Sequence, residues 1–314
     1  LLVCEDFILR NNVSVANISN QQITIWRDII KGDNATIDFS TSTVLLSGGS
    51  SSQQIVGDFT GGEAFYNLTI NNSNGVSVIN SSIDAINGIL ADVNGDVEVA
   101  NRLTLTNGLV STDTDNSLRI LLNATVNDGS NNAYVNGPLI RQINNDPSGS
   151  YNFPVGKSGR YGLMSIVNPT TATGTKNWVV EYFNISPPNP LNISSGSIEK
   201  VSENEYWSVS DGLLTSGASQ ANIRLRWDLN SDLTPTGNIN DLAIAYYDGA
   251  GWVQVINSSG RSGNTTNGNL TGGLVPFSTR LITLGTLNQL NTPLPIELVE
   301  FTAKAVMDGV LLEW

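Results

Sequence analysis

The sequence predicts an all-β chain: a right-handed parallel β-solenoid over residues 1–132, a β-sandwich over 133–290, and the opening strands of a further domain over 291–314. Three observations predict it. Apolar residues alternate with polar ones at a period of two, as in Ile23/Ile25, Val44/Leu46 and Leu68/Ile70, which is the signature of a strand with one buried face. Short strands recur at an interval of about 24 residues in the first part, the spacing of a stacked coil. Beyond residue 133 the strands lengthen and aromatic residues crowd in.

In the first part, Thr43–Ser47 and Asn67–Asn71 are spaced as successive rungs, and Asp96–Val99 follows about 29 residues after the second. Strands of three to five residues cannot make stable hairpins, but they can stack coil upon coil. Val, Ile and Leu would then fill the interior, while Asn, Ser and Thr face water. Asn suits the corners because it tolerates left-handed backbone. An antiparallel sandwich shares the alternation, and the short regular interval favours the solenoid over it. Only Trp26–Lys31 has the texture of a helical turn. Cys4, in Val3-Cys4-Glu5, reads as a small buried strand residue.

In the second part, Asn177–Phe183 and Asn222–Trp227 read as long sandwich strands, and Pro187–Pro190 as a surface loop. Asp248-Gly249-Ala250-Gly251 marks a hairpin turn between Ala243–Tyr247 and Trp252–Val255. The third part opens with a linker stiffened by Pro293 and Pro295. Ile296–Ala303 and Val310–Trp314 then alternate as two strands, too few to bury a core. The expectation is a domain that continues beyond this sequence.

Composition narrows function mainly by exclusion. The 314 residues include no histidine and one cysteine. This excludes a Ser-His-Asp triad, imidazole metal ligation, an internal disulfide and a thiolate zinc site. A net charge of −13 opposes nucleic-acid phosphates. Charged residues make up only 14% of the chain, so polarity falls to residues such as its 39 asparagines. No apolar run is long enough to span a membrane.

The tail Pro293-Leu294-Pro295-Ile296-Glu297-Leu298-Val299-Glu300-Phe301-Thr302-Ala303-Lys304, with Val310-Leu311-Leu312-Glu313-Trp314, resembles the junction before a fibronectin-type-III-like domain in secreted proteins of Bacteroidota. Phe65–Asn72 and Leu103–Gly108 resemble solenoid rungs of that family, and Val135–Leu139 with Phe153–Lys157 its solenoid-to-sandwich joint. Glu205-Tyr206-Trp207 and Tyr247-Asp248-Gly249 resemble its sandwich core and hairpin. The resemblance implies a large secreted or cell-surface protein, adhesin-like and without catalytic residues. It also implies partnership with the type IX secretion machinery, or an outer-membrane carrier, during export.

Candidate chemistry is sparse. Asp92-Val93-Asn94-Gly95-Asp96 has alternating oxygen donors, so Asp92, Asn94 and Asp96 are calcium candidates. It lacks the sixth-place glycine and twelfth-place glutamate of a full calcium loop, and a plain turn explains it as well. Asp84, Asp92, Asp96 and Glu98, with Arg102 and Arg119, are the groups a carbohydrate-active β-helix enzyme would draw on, though no spacing pairs them. Trp178, Trp207, Trp227 and Trp252 fit a sandwich core better than a sugar-stacking platform. The expectation is therefore a non-catalytic structural or adhesive segment with no cofactor, meeting an extracellular glycan or surface ligand. The alternative is a carbohydrate-active β-helix enzyme or glycan-binding module.

Overall fold

The computed structural model describes residues 1–288, 302–306 and 309–313, apart from 33, 80–94, 128, 172–173, 213–218, 234–237, 257–259 and 278. Among these the chain is all-β, with helix confined to 3-10 turns at Gly61–Glu63, Leu229–Ser231 and Ile239–Asp241. No helix among them is long and apolar enough to cross a membrane.

The first part is a β-solenoid of about five turns. One parallel sheet stacks Leu2–Val3, Gln22–Ile25, Thr43–Leu46, Phe65–Asn71, Val97–Asn107, Leu118–Ile120 and Leu139–Ile143 in chain order. A second stacks Phe7–Leu9, Ile29–Lys31, Gln53–Val56, Val76–Ile79, Val110–Ser111 and Val135–Asn136. A short third pairs Ser14–Val15 with Thr36–Ile37. Each coil satisfies the backbone of the next, which a lone short strand cannot do for itself.

The period-two pattern becomes ladders of like residues. Ile23, Val44, Leu68 and Leu103 lie in register, as do Ile25, Leu46, Ile70 and Leu105, all of them buried. Inside the coil Phe65 stacks between Phe39 and Phe59, with ring centroids 4.7 and 5.0 Å away. Asn12, Asn17, Asn20, Asn34 and Asn123 adopt positive φ in the turns between these strands, the role expected of asparagine. Gly108 is needed more strictly. Its φ is +93°, and a Cβ there would lie 1.7 Å from the Asn72 carbonyl oxygen of the coil below.

Three expectations require correction. Many side-chain bonds between early coils join residues 21 to 24 apart, as in Thr41 to Asn20 and Asn67 to Thr43, and those from Gln53 to Arg27 and Ile25 span 26 and 28. The next step is longer, with Asn101 bonded to Asn67 34 residues earlier. Val97–Val99 does open the next rung, with Val99 beside Phe65, but that rung runs on to Asn107 and it is Leu103 that aligns with Leu68. A register shift between Val99 and Arg102 lets the long strand Val97–Asn107 carry both Leu118–Ile120 and Thr125–Val126 on its far side. Secondly, Trp26–Lys31 is not helical: Trp26 is a half-exposed corner and Ile29–Lys31 is a strand, because the neighbouring coils offer its backbone sheet partners. Thirdly, Cys4 is exposed, since it falls in the bend after Leu2–Val3 and not within a strand.

Leu139–Ile143 is where the architecture changes. On one edge it pairs parallel with Leu118–Ile120, and on the other antiparallel with Lys176–Phe183. The same sheet then continues antiparallel through Tyr206–Ser210, Thr279–Thr286, Leu242–Tyr247 and Trp252–Gln254. A five-stranded antiparallel sheet, in the order Ser150–Phe153, Met164–Thr171, Ser219–Asp228, Asn267–Phe277 and Gly260–Gly263, accompanies it. The two meet where Trp178 sets its edge on Phe277 at 5.0 Å. One continuous core runs from Leu9 in the solenoid to Leu284 in the antiparallel part. Parallel stacking thus passes beyond residue 132.

The hairpin at Asp248 forms as its sequence suggests, with Asp248 Oδ1 accepting from the amides of Ala250 and Gly251 at 2.8 Å each. Thr302–Val306 and Gly309–Glu313 pair as an antiparallel hairpin. The proline linker and residues 296–301 of the expected strand lie outside the described residues.

Candidate functional site

The acidic candidates of the solenoid serve the stack. Asp96 Oδ1 accepts from the Ser117 amide at 3.1 Å and from its hydroxyl at 2.7 Å, one coil on. Glu98 is buried, takes the Gly61 amide at 2.8 Å and pairs with Arg119 at 2.7 Å. Arg102 points to solvent. Asp84, Asp92 and Asn94 lie outside the described residues, so of the calcium candidates only Asp96 can be placed. The four tryptophans Trp178, Trp207, Trp227 and Trp252 are all at most 2% exposed, so none presents a stacking face.

A different constellation forms in the antiparallel part. The turn Ser158-Gly159 joins Gly156–Lys157 to Arg160–Tyr161, and both turn residues have positive φ, 53° and 78°. A tight two-residue hairpin demands that geometry. It delivers Arg160 into the protein, where it is buried. Its Nη1 donates to the Asn230 carbonyl at 2.7 Å and reaches Asn184 Oδ1 at 3.5 Å. Its Nη2 donates to Ser231 Oγ at 3.0 Å and lies 3.0 Å from Glu205 Oε1 and 3.4 Å from Asp228 Oδ1.

Glu205 is buried as well, and Tyr182 donates its hydroxyl to Glu205 Oε2 at 2.9 Å. Burial raises the Glu205 carboxyl above the usual carboxylate range, with Arg160 pulling the other way. Burial, and then the charge of Glu205, raise the Tyr182 phenol. Asp228 also caps the turn Leu229–Ser231, accepting from the Asn230 amide at 2.9 Å. Beside this group, Lys200 is held by Asp232 at 3.0 Å, and Ser202 donates to the Ser231 carbonyl at 2.9 Å.

Over this cluster opens a cleft of about 550 Å³, with Arg160 in its lining beside Ser158, Asn184, Ser186, Glu203, Asn204 and Asn230. The charges beneath it compensate one another, and the lining presents mostly amides and hydroxyls, with the Glu203 carboxylate and the Ile185 side chain among them. Such a surface can donate and accept at once, which suits recognition better than proton transfer.

Sequence reading did not find this cleft. Its segments come from four separate stretches of chain, and Arg160 and Asp228 are 68 residues apart. The usable signal was the placing of rare charges against aromatics, in Glu205-Tyr206-Trp207 and Trp227-Asp228, within a chain that has few charges. No family model, curated protein or solved structure matches the chain.

Proposed function

We propose that the chain is a non-catalytic structural and adhesive segment of a large secreted or cell-surface protein. The solenoid acts as a stiff stalk, and the antiparallel part, read as a sandwich, closes one end of it. The strand Leu139–Ile143 carries this reading. A parallel stack leaves an open edge that invites pairing with other chains, and here the edge is taken up by Lys176–Phe183 within the same sheet and core. The engagement of Asp96 and Glu98 in bonds between coils supports a scaffold over a hydrolase. Export by the type IX secretion machinery, and a fibronectin-type-III-like domain at the end, rest on the resemblance of residues 293–314.

Two experiments test this. The purified chain, incubated with a panel of polysaccharides, is expected to release no new reducing ends; saturable release would overturn the scaffold reading. In the producing bacterium, disabling the type IX outer-membrane translocon is expected to strand the protein in the periplasm. Undiminished surface display would remove the export route.

A further inference from the structure

We infer that the cleft over Arg160 is a binding site for a neutral saccharide. This goes beyond the scaffold reading and stands without it, because it rests on the cleft alone.

The first argument is size. A volume of about 550 Å³ leaves room for a small ligand, whose sites run roughly 300–1,000 Å³; a depression of about 640 Å³ at Leu274 does so too, so size permits a ligand and the polar lining selects the place. The second is preorganisation. Arg160 ties the Asn230 carbonyl and the Asn184 side chain together, and Asn204 Nδ2 donates to the same Asn230 carbonyl at 3.2 Å. Arg160 thus holds the Asn184 side chain and the Asn230 backbone directly, and Asn204 is tied in only through the Asn230 carbonyl.

The third argument is unspent hydrogen-bonding capacity. Among the described residues the Asn230 side-chain amide, Asn184 Nδ2, Asn204 Oδ1 and the Ser158 hydroxyl have no protein partner, although their neighbouring atoms do. Amides and hydroxyls offering both donors and acceptors match the vicinal hydroxyls of a sugar, each of which also does both.

The fourth argument is charge. Arg160 is compensated by Glu205 and Asp228, Glu203 adds a carboxylate to the lining, and the chain carries −13 overall. An anion would meet repulsion there. A cation would find a single lining carboxylate, and Glu203 already has Lys200 at 3.9 Å. A neutral polyhydroxyl ligand remains.

The test is a calorimetric and NMR titration of the full chain with cellobiose, maltose, laminaribiose and xylobiose. Digalacturonate and inorganic phosphate are titrated alongside. At least one neutral disaccharide is expected to bind, with digalacturonate and phosphate weaker or silent. The double variant Asn184→Ala/Asn230→Ala is expected to weaken that binding by tenfold or more, with a small drop in thermal midpoint from the lost Arg160–Asn184 contact. Should the double variant unfold early, Asn230→Ala alone serves, because its side chain makes no bond within the protein. The inference is overturned if no neutral disaccharide binds, if only the anions bind, or if the variants bind as tightly as the parent.

Discussion

The two parts of this molecule solve the same packing problem with different means. In the solenoid, side-chain bonds between neighbouring coils mostly join residues 21 to 24 apart, and buried positions repeat as aliphatic ladders. In the antiparallel part several of the bonds that fix the core join residues much farther apart, although others, such as Tyr182 to Glu205, span as few as 23. Trp207 Nε1 donates to the Gly162 carbonyl across 45 residues, Arg160 reaches Ser231 across 71, and Thr283 reaches the Glu205 carbonyl across 78. The solenoid therefore gains stability by adding similar units, and each unit depends mainly on its neighbours. The closing part has one arrangement only. It needs bulky aromatics and a buried charge cluster to specify it, and its long loops must close before any of those contacts form.

That contrast can be broken at several points. The largest effect is expected for Trp178→Ala, which removes the ring that meets Phe277 between the two antiparallel sheets. A loss of about 3–5 kcal/mol is expected in denaturant unfolding. Loss of structure should extend through the closing part as a whole. Protection retained there in hydrogen exchange would show that this part is as modular as the solenoid.

Next is Gly108→Ala. The added methyl would overlap the Asn72 carbonyl at a positive φ, costing about 3 kcal/mol. Here the damage should stay local, with exchange accelerating around Asn72 and Gly108 while Trp207 and its neighbours keep their protection. A uniform loss of protection would contradict a nearest-neighbour stack.

Gln53→Ala should cost about 2 kcal/mol. The buried Gln53 amide donates to the carbonyls of Ile25 and Arg27 and accepts from the Gly48 amide and Asn72, so its removal leaves several buried polar groups unpaired. Gln53→Glu should not restore the parent's stability, because it replaces a donor with a buried charge.

Glu205→Gln sharpens the comparison through pH. Burial raises the Glu205 carboxyl in the folded state, so folding takes up a proton there. Its contribution is fully present below the unfolded value, about 4.3, and is lost as pH rises through the folded value. The stability of the parent relative to Glu205→Gln is thus expected to fall as pH rises from 4. A difference that stays flat with pH would mean that Arg160 holds the carboxylate charged throughout.

The smallest effect is expected for Arg27→Ala on the solenoid surface. Arg27 meets Glu5 and Asp6, but Arg27 and Glu5 are well exposed to solvent, and the loss expected in unfolding is no larger than the limit of measurement.

The solenoid was legible from sequence because its rule is local. The alternation Ile23/Ile25, Val44/Leu46 and Leu68/Ile70 states which face is buried, and the spacing states that coils stack. Reading fell short where one unit departs from the period: Asp96–Val99 does lead into the next rung, but the longer step to Asn101 and the register shift before Arg102 place Leu103, not Val97 or Val99, over Leu68. Cys4 failed for a related reason, since the strand Leu2–Val3 stops one residue short of it and leaves it in an exposed bend. The cleft was beyond reach because Arg160, Glu205 and Asp228 have no common spacing, and only the folded sheets bring Glu205 to 3.0 Å and Asp228 to 3.4 Å from Arg160.

The double allegiance of Leu139–Ile143 has a consequence for how such a molecule varies. Its parallel edge faces a run of interchangeable coils, and its antiparallel edge faces a part that cannot be repeated. Duplicating or deleting a whole coil upstream would change the reach of the rod by about 4.8 Å, one strand spacing, and leave the Arg160 cleft untouched. The length of the stack and the chemistry of the cleft can then vary independently, one by counting units and the other by exchanging side chains.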